Sequence, residues 1–376
     1  MRRQQAELTV RMRVAVLLEQ CLSPVPGGTG RYSRELAGAL AAGQADGDTV
    51  TGWTAWHRDV DAARVDGVLG PVRLAVPRRP LVAAWQQGRG PRPADCDVVH
   101  APTLLAPPRG RTPLVVTIHD AVPWTHPGTL TRRGVDWHRA MAARVARTAD
   151  AVVVPTQAVA DALVDLLPFG DRVRVIGEGV STDLTLPADA DERAAALDLP
   201  TDFLFTFATL EPRKGLDVLI AALAMPDAPR VPLLVAGQAG WGSVDPLAQA
   251  ASLGLPPDRV RVLGRVSDPD LAVLLSRATA VVVPSRAEGF GLPVLEAMAA
   301  GAPVVTSDDA ALVEVGGGAP AVVPVGDVAR LADVLCDVVT DPVRRRAMSQ
   351  AGIERSAAYT WEGAAISTWK LYRELV

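Results

Sequence analysis

The sequence predicts an α/β protein of two Rossmann-like, doubly wound domains, and three observations carry that expectation. Short apolar, β-like runs alternate with stretches of helical periodicity along most of the chain. The alternation breaks once, at a polar stretch rich in Pro, Asp and Ala over 182–200 that ends in Asp198-Leu199-Pro200. At 376 residues the chain is too long for one ordinary core and about right for two.

The first domain, 1–185, opens with the apolar run Val14–Leu18 and a Pro/Gly-rich loop, Ser23–Gly30. Apolar residues at helical spacing predict a helix over Tyr32–Leu40. Further β-like runs follow around Thr49–Ala55 and at Val72–Val76, Val98–Val99, Leu114–Ile118 and Ala151–Val154. Helical segments fall at Gly134–Thr148 and Ala158–Leu167, a pattern that predicts a parallel sheet covered by helices. The 182–200 stretch reads as a linker. The second domain, 186–360, starts a new series with strands Phe203–Ala208, Pro232–Ala236, Val260–Leu263, Ala280–Val283 and Pro303–Thr306. Helices are expected at Leu216–Leu223, Pro269–Arg277 and Leu292–Ala300, and an amphipathic helix at Trp361–Leu375 closes the chain.

Composition narrows the function classes. With 49% hydrophobic and 21% charged residues, the chain has the balance of a soluble globular enzyme. No run approaches the roughly 18 apolar residues of a membrane span. Met1–Arg13 carries four arginines but no apolar signal-peptide core, so a cytoplasmic protein is expected. Cys21, Cys96 and Cys336 lie too far apart for a ligand pattern, so neither a disulfide framework nor a metal site is expected. Residues 1–185 hold 22 Arg against 18 acidic residues, net +4; the remainder holds 16 basic against 24 acidic residues, net −8. A basic first domain suits an acidic acceptor or peripheral contact with a membrane, although an ordinary solvated surface also accounts for an imbalance of this size. Nothing has the dense basic face of a nucleic-acid binder. The chain has no Asn and only two lysines, Lys214 and Lys370, so an internal lysine at Arg213-Lys214-Gly215 stands out.

Two second-domain motifs carry chemistry. In Pro284-Ser285-Arg286-Ala287-Glu288-Gly289-Phe290-Gly291-Leu292-Pro293, a glycine-rich turn leaves a buried-looking strand and feeds a helix. Pro293 suits the first helical turn and Gly301 its end. Such a helix start is an anion site, and Glu288 and Glu296 flank it as hydroxyl acceptors for one elongated ligand. Glu211-Pro212-Arg213-Lys214-Gly215-Leu216 lies in the first strand-to-helix loop of the same domain. Arg213 and Lys214 suit a diphosphate, one as a fork and one as a point charge. Cations are disfavoured at a helix start unless an anion is present, which favours a ligand role over a solvated pair.

The first-domain motifs are weaker. Pro26-Gly27-Gly28-Thr29-Gly30-Arg31-Tyr32 begins a dinucleotide fingerprint but meets Ser33 where a third glycine or alanine belongs. Thr117-Ile118-His119-Asp120 ends a strand, placing His119 for the cleft, with Asp120 either orienting the imidazole or capping the next turn. A structural histidine bonded to a carbonyl is the competing reading. His126 and His138 read as surface residues.

From Val14 to Leu375 these motifs, in this order, resemble the retaining glycosyltransferases of family 4, which adopt the GT-B fold. The resemblance implies two Rossmann-like domains facing across a cleft, with the last helix packed back on the first domain. It implies hexose transfer from a nucleotide diphosphate sugar to an acceptor hydroxyl of a glycan, glycolipid or natural product, without cofactor or metal. In the family's pattern Glu288 contacts the donor sugar and Glu296 the nucleotide ribose, while backbone amides of Phe290, Gly291 and Leu292 approach the sugar and diphosphate. Arg213 and Lys214 bind the diphosphate, Gly27 and Gly28 approach the donor from the first domain, and His119 contacts the sugar near the transfer site. Gly237, Arg265 and Val266 fall where the family binds the nucleobase. Glu314 resembles a recurrent glutamate with no assigned role. The wording of the Gly-Gly-Thr-Gly-Arg-Tyr and Thr-Ile-His-Asp motifs is similar to bacterial mannose-transferring members, making GDP-mannose the first donor to consider. A sugar-nucleotide epimerase and a non-catalytic nucleotide-sugar binder remain as alternatives. Ser307-Asp308-Asp309 reads as a helix start rather than a metal motif.

Overall fold

Runs of valine buried on both faces become the inner strands of two parallel sheets. In the first, β1 (Arg13–Leu17), β2 (Thr49–Trp56), β3 (Leu69–Pro77), β4 (Val98–Ala101), β5 (Leu114–Thr117), β6 (Ala151–Val154) and β7 (Val173–Val175) lie in the order β3-β2-β1-β4-β5-β6-β7. The second runs β10-β9-β8-β11-β12-β13, from β8 (Leu204–Phe207), β9 (Leu233–Ala236), β10 (Val260–Gly264), β11 (Ala280–Val283), β12 (Val304–Ser307) and β13 (Ala321–Val323). All residues of β4, β5, β6, β9, β11 and β12 are buried, with helix-borne cores on both faces of each sheet. The structure is a computed structural model describing residues 11–376. Most of the basic segment Met1–Arg13, and any membrane contact it makes, lies outside the described residues. No helix among them is long and apolar enough to cross a membrane.

Several boundaries differ from the sequence reading. The glycine motif is not a loop: the helix expected from Tyr32 starts at Gly27 and runs to Ala42. A Cβ on Gly30 would sit 2.4 Å from the Pro26 Cβ, so glycine lets the first turn close over Pro26. The 182–200 stretch is not a bare linker. It holds a helix, Ala190–Ala196, tied to the helix Asp268–Arg277 by Arg193, which pairs with Asp270 at 2.9 Å. Strands β7 and β13, and helices Pro246–Ser252, Val328–Thr340 and Pro342–Ser356, are additions to the expected elements. Asp309 caps the helix Ala310–Gly316 as expected, but Asp308 instead accepts from the Val325 amide at 2.8 Å.

The last helix, Trp361–Leu375, buries Trp361, Trp369 and Tyr372 in the first domain's core beside Leu36 and Leu40. The Trp369 indole N–H donates to the Leu40 carbonyl at 3.0 Å, and Arg373 pairs with the buried Asp48 at 3.2 Å. Truncating one such aromatic removes about 3–5 kcal/mol of packing, so this helix fixes the chain's return to the first domain.

Candidate active site

In each sheet the strand order reverses once, between β1 and β4 and between β8 and β11. Loops leaving the carboxyl ends of strands at such a point turn to opposite sides and open a crevice. Both second-domain motifs sit there. After β8, Pro212–Lys214 makes one 3-10 turn, Gly215 takes φ 66°, and the helix Leu216–Leu223 begins. A Cβ on Gly215 would lie 2.0 Å from the Pro284 carbonyl oxygen, so glycine is what lets this loop press on the one after β11. Arg286 ties the two together. Its amide donates to the Arg213 carbonyl at 2.8 Å, and its guanidinium to the Pro212 carbonyl at 2.7 Å and to Asp217 at 2.5 Å.

Between these loops Arg213, Lys214 and Glu288 form one cluster. Glu288 Oε2 accepts from Arg213 Nη1 at 2.6 Å, while Oε1 accepts from Lys214 Nζ at 2.6 Å and from the Ser285 hydroxyl at 2.7 Å. Arg213 also pairs with Glu211 at 2.8 Å and donates to the Ala287 carbonyl at 2.8 Å. Burial pushes the Glu288 pKa up, but the two cations outweigh it and hold the carboxyl at about 2. The anion that the basic pair requires is therefore, in this state, the protein's own Glu288 with Glu211. With these two carboxylates beside it, the helix-start cation pair is neutralised without a bound ligand.

Beyond Gly289, Phe290 buries its ring edge-on against Tyr359, centroids 5.5 Å apart, so only its backbone faces the turn. Gly291 adopts φ 98° and starts the helix Leu292–Ala299, with Pro293 in its first turn. Glu296, on that helix, is only 4% exposed, and its Oε1 has no hydrogen-bond partner among the described residues. Arg31 Nη1 approaches from the first domain at 3.4 Å while Nη2 pairs with Asp268 at 2.5 Å. Burial outweighs Arg31 and pushes the Glu296 carboxyl up to about 7. A carboxyl whose folded-state pKa is raised leaves stability intact below the ordinary value of 4.5 and lowers it as pH rises through about 7. Glu296→Gln is therefore expected to match the wild type in thermal midpoint at pH 4.5 and to exceed it at pH 8. A variant no more stable than wild type at pH 8 would show that Arg31 fully compensates the charge.

The first domain closes over this helix start. A Cβ on Gly28 would lie 3.8 Å from Leu292 Cδ1, and one on Gly289 would lie 1.7 Å from the His119 carbonyl oxygen. Gly27 has φ 60° and open space around it. Thr156 Oγ1 donates to the Gly289 carbonyl at 2.8 Å, and Glu314 accepts from the amides of Gln157 and Ala158, each at 2.8 Å. Glu314 thus caps a first-domain helix, Gln157–Val164, from across the cleft.

His119 stands at the end of β5, its Nε2 2.8 Å from the Pro102 carbonyl and its Nδ1 3.6 Å from Glu178. The competing structural reading is thus realised in part: one ring nitrogen bonds a carbonyl. Asp120 does not orient the ring; its Oδ1 accepts from the Val122 amide at 3.0 Å and caps the next turn. Burial lowers the His119 pKa, but Glu178, with the Pro102 carbonyl and Asp120, leaves it above the ordinary histidine value. Behind it runs a buried polar chain. The Tyr372 hydroxyl lies 2.6 Å from His100 Nδ1, His100 Nε2 lies 2.9 Å from Thr117 Oγ1, and Thr117 Oγ1 lies 3.1 Å from the Tyr32 hydroxyl. The Tyr32 ring meets His119 edge-on at 4.6 Å. Burial first, then His119, holds His100 neutral at a pKa of about 3.

The structure leaves the remaining expected residues at the cleft's second-domain edge. Gly237, at φ 151°, ends β9 with its amide donating to the Gly264 carbonyl at 2.8 Å, and Arg265 and Val266 follow β10. Arg265 is exposed, and Val266 is half-buried against the second domain's core. Sequence reasoning missed Glu178, Ser285 and the contact of Arg31 with Glu296. It also placed His138 on the surface, whereas this residue is half-buried and lines a cavity of about 880 Å³ beside His119.

Comparison with known proteins follows the same division. Residues 26–184 match the family described as Glycosyltransferase Family 4, and residues 188–355 match Glycosyl transferases group 1. The chain is 34% identical over 331 residues to D-inositol 3-phosphate glycosyltransferase 1 of Catenulispora acidiphila, covering 80% of this chain and 77% of that protein. It is 34% identical over 208 residues to O-antigen chain mannosyltransferase B of Escherichia coli, covering 52% and 54% respectively. Among solved structures, a sucrose-phosphate synthase from Thermosynechococcus elongatus superposes with TM-score 0.74 at 25% identity, covering 97% of this chain and 99% of that one. HepE of Anabaena, solved with UDP and glucose, superposes with TM-score 0.76 at 21% identity, covering 97% and 100%. Two parallel-sheet domains of GT-B architecture, a cleft lined by the expected motifs and these relatives agree: the chain is a glycosyltransferase and belongs to glycosyltransferase family 4.

Proposed function

We propose that the protein moves a hexose from a nucleotide diphosphate sugar to an acceptor hydroxyl with retention of anomeric configuration, using neither cofactor nor metal. The observation that carries this reading is the Arg213–Lys214–Glu288 cluster, set between the β8 and β11 loops beside the Leu292 helix start. Charge develops on the departing diphosphate, and preorganised cations in a site shielded from water meet it without reorganisation. When the diphosphate takes Arg213 and Lys214, Glu288 is released to accept sugar hydroxyls. The anomeric carbon–phosphate oxygen bond breaks, the bond to the acceptor oxygen forms on the same face, and the departing phosphate oxygen takes the acceptor's proton. Glu296, buried with an unbonded oxygen, accepts the ribose hydroxyls, and His119, its basicity raised by Glu178, lies against the sugar.

GDP-mannose is the first donor to test, in keeping with the mannosyltransferase among the relatives, and UDP-hexoses are the second. A thermal-shift screen against GDP, UDP, dTDP and their hexose conjugates, with NAD as control, decides. A ligand at about 100 times its dissociation constant stabilises by about 2.7 kcal/mol. One responding nucleotide class names the donor base; a response to NAD alone would remove the reading.

A further inference from the structure

The helix Gln157–Val164 of the first domain is capped by both domains at once. Thr156 Oγ1 accepts from the Val159 amide at 3.2 Å, an ordinary cap from the preceding residue, and donates to the Gly289 carbonyl of the donor turn at 2.8 Å. The amides of Gln157 and Ala158 instead donate across the cleft to Glu314, one to each carboxylate oxygen, both at 2.8 Å. A helix start leaves its first amides without intrahelical partners, and a carboxylate there also meets the positive end of the dipole. Among the described residues the Glu314 carboxylate has no other hydrogen-bond or ion-pair partner.

Glu314 is itself firmly placed. It lies on the helix Ala310–Gly316, where Arg355 donates to the Glu314 carbonyl at 2.7 Å and to the Val315 carbonyl at 3.0 Å. Arg355 also donates to the Tyr359 hydroxyl at 2.8 Å, and Tyr359 is the residue packed on Phe290. The same helix presses Leu312 on the donor turn: a Cβ on Gly291 would lie 2.3 Å from Leu312 Cδ2. One short helix thus touches the donor turn through Leu312 and the first domain through Glu314. Gly289, two residues before Gly291, is packed by the His119 carbonyl and bonded by Thr156. The place of His119 over the donor turn therefore depends on how the helix Gln157–Val164 docks.

We propose that Glu314 is a positioning residue for sugar transfer: by capping a first-domain helix from the second domain, it fixes His119 over the donor turn. This rests on the glycosyl-transfer reading and adds to it a residue that acts through the domain interface. Two directional bonds from one carboxylate favour a single docking of the domains, whereas apolar contact alone lets them slide. Closure of this kind completes a site and shields it from water.

The test compares wild type, Glu314→Ala, Gln157→Pro and the double variant. Gln157 is the first residue of its helix, where proline is tolerated, and Thr156 before it is already extended at φ −141° and ψ 158°. Gln157→Pro therefore removes one of the two amides and leaves Glu314 in place. Turnover is read as nucleoside diphosphate released from GDP-mannose and from UDP-glucose with water as acceptor, per nucleotide-binding site counted by calorimetry. We expect kcat to fall about tenfold in Glu314→Ala and about threefold in Gln157→Pro, with donor KM and nucleoside diphosphate affinity held within about twofold. The double variant should be no slower than Glu314→Ala, because both changes break one interaction. Unchanged kcat in Glu314→Ala, or fully additive losses in the double variant, overturns the proposal. So does a nucleotide affinity that falls together with turnover, which would place Glu314 in the folding of the second domain. If wild type binds a nucleotide but releases no diphosphate, small-angle scattering of the bound proteins decides: a larger radius of gyration in Glu314→Ala supports the proposal, and an identical one overturns it. If wild type binds neither GDP nor UDP, the donor reading fails and takes this one with it.

Discussion

Lys214→Ala is expected to lower sugar transfer by roughly 10²–10³-fold, the loss seen when one preorganised charge donor is taken from a developing anion. The ammonium sits 2.6 Å from Glu288 Oε1 and is 16% exposed, so it is held in place before any donor arrives. Because the charge it meets grows in the transition state, kcat should fall more than KM rises. The fold should tolerate the change. Glu288 keeps the Ser285 hydroxyl at 2.7 Å and Arg213 at 2.6 Å, so its carboxylate is not stranded. A rise in KM with kcat intact would place Lys214 in uniform substrate binding instead.

Glu288→Gln is expected to act on both activity and stability. A reading from sequence alone, with Glu288 in an open turn, predicts loss of activity and an almost unchanged thermal midpoint. The ion-pair cluster changes the second half. Arg213 and Lys214 are then left beside Glu211 alone, and breaking a buried pair in this way costs about 3–5 kcal/mol. The pH dependence follows from the lowered carboxyl. With a folded-state pKa near 2 against an ordinary 4.5, the pairing contributes fully above pH 4.5 and is lost as pH falls towards 2. Urea titrations of wild type and variant at pH 7, 4.5 and 3 should therefore give a gap that narrows only at the lowest pH. A gap of zero at pH 7 would mean that the cluster contributes nothing to folding.

Much of this architecture was legible because both sheets are parallel and buried. Tetrads such as Ala280–Val283 and Ala151–Val154 are continuous apolar runs with no polar face to interrupt them, and their bounds match the structure. Strand β7, Val173–Val175, was not legible, being a three-residue edge strand with an arginine at its centre. The 182–200 stretch misled for a related reason. Its Asp and Pro residues read as turn chemistry, yet Asp189, Asp191 and Arg193 serve the helix Ala190–Ala196 and its ion pairs with Asp270 and Arg277.

At the site, residues within one loop could be named, and residues that meet only after folding could not. Arg213 with Lys214, and Glu288 with Glu296, announce themselves by spacing. Glu178 lies in an irregular segment with no pattern around it, and its role exists only because the chain brings it 3.6 Å from His119. The pairing of Arg31 with Asp268 and Glu296 likewise spans both domains.

The central claim is that the cluster joining Arg213, Lys214 and Glu288 receives the donor's diphosphate. The direct measurement is calorimetric titration of wild type and Lys214→Ala with GDP and GMP, and with UDP and UMP. For the matching base, the account predicts that wild type binds the diphosphate at least about tenfold more tightly than the monophosphate, and that Lys214→Ala removes most of that difference. Equal affinity of wild type for the mono- and diphosphate, or a preference untouched by the substitution, would contradict it.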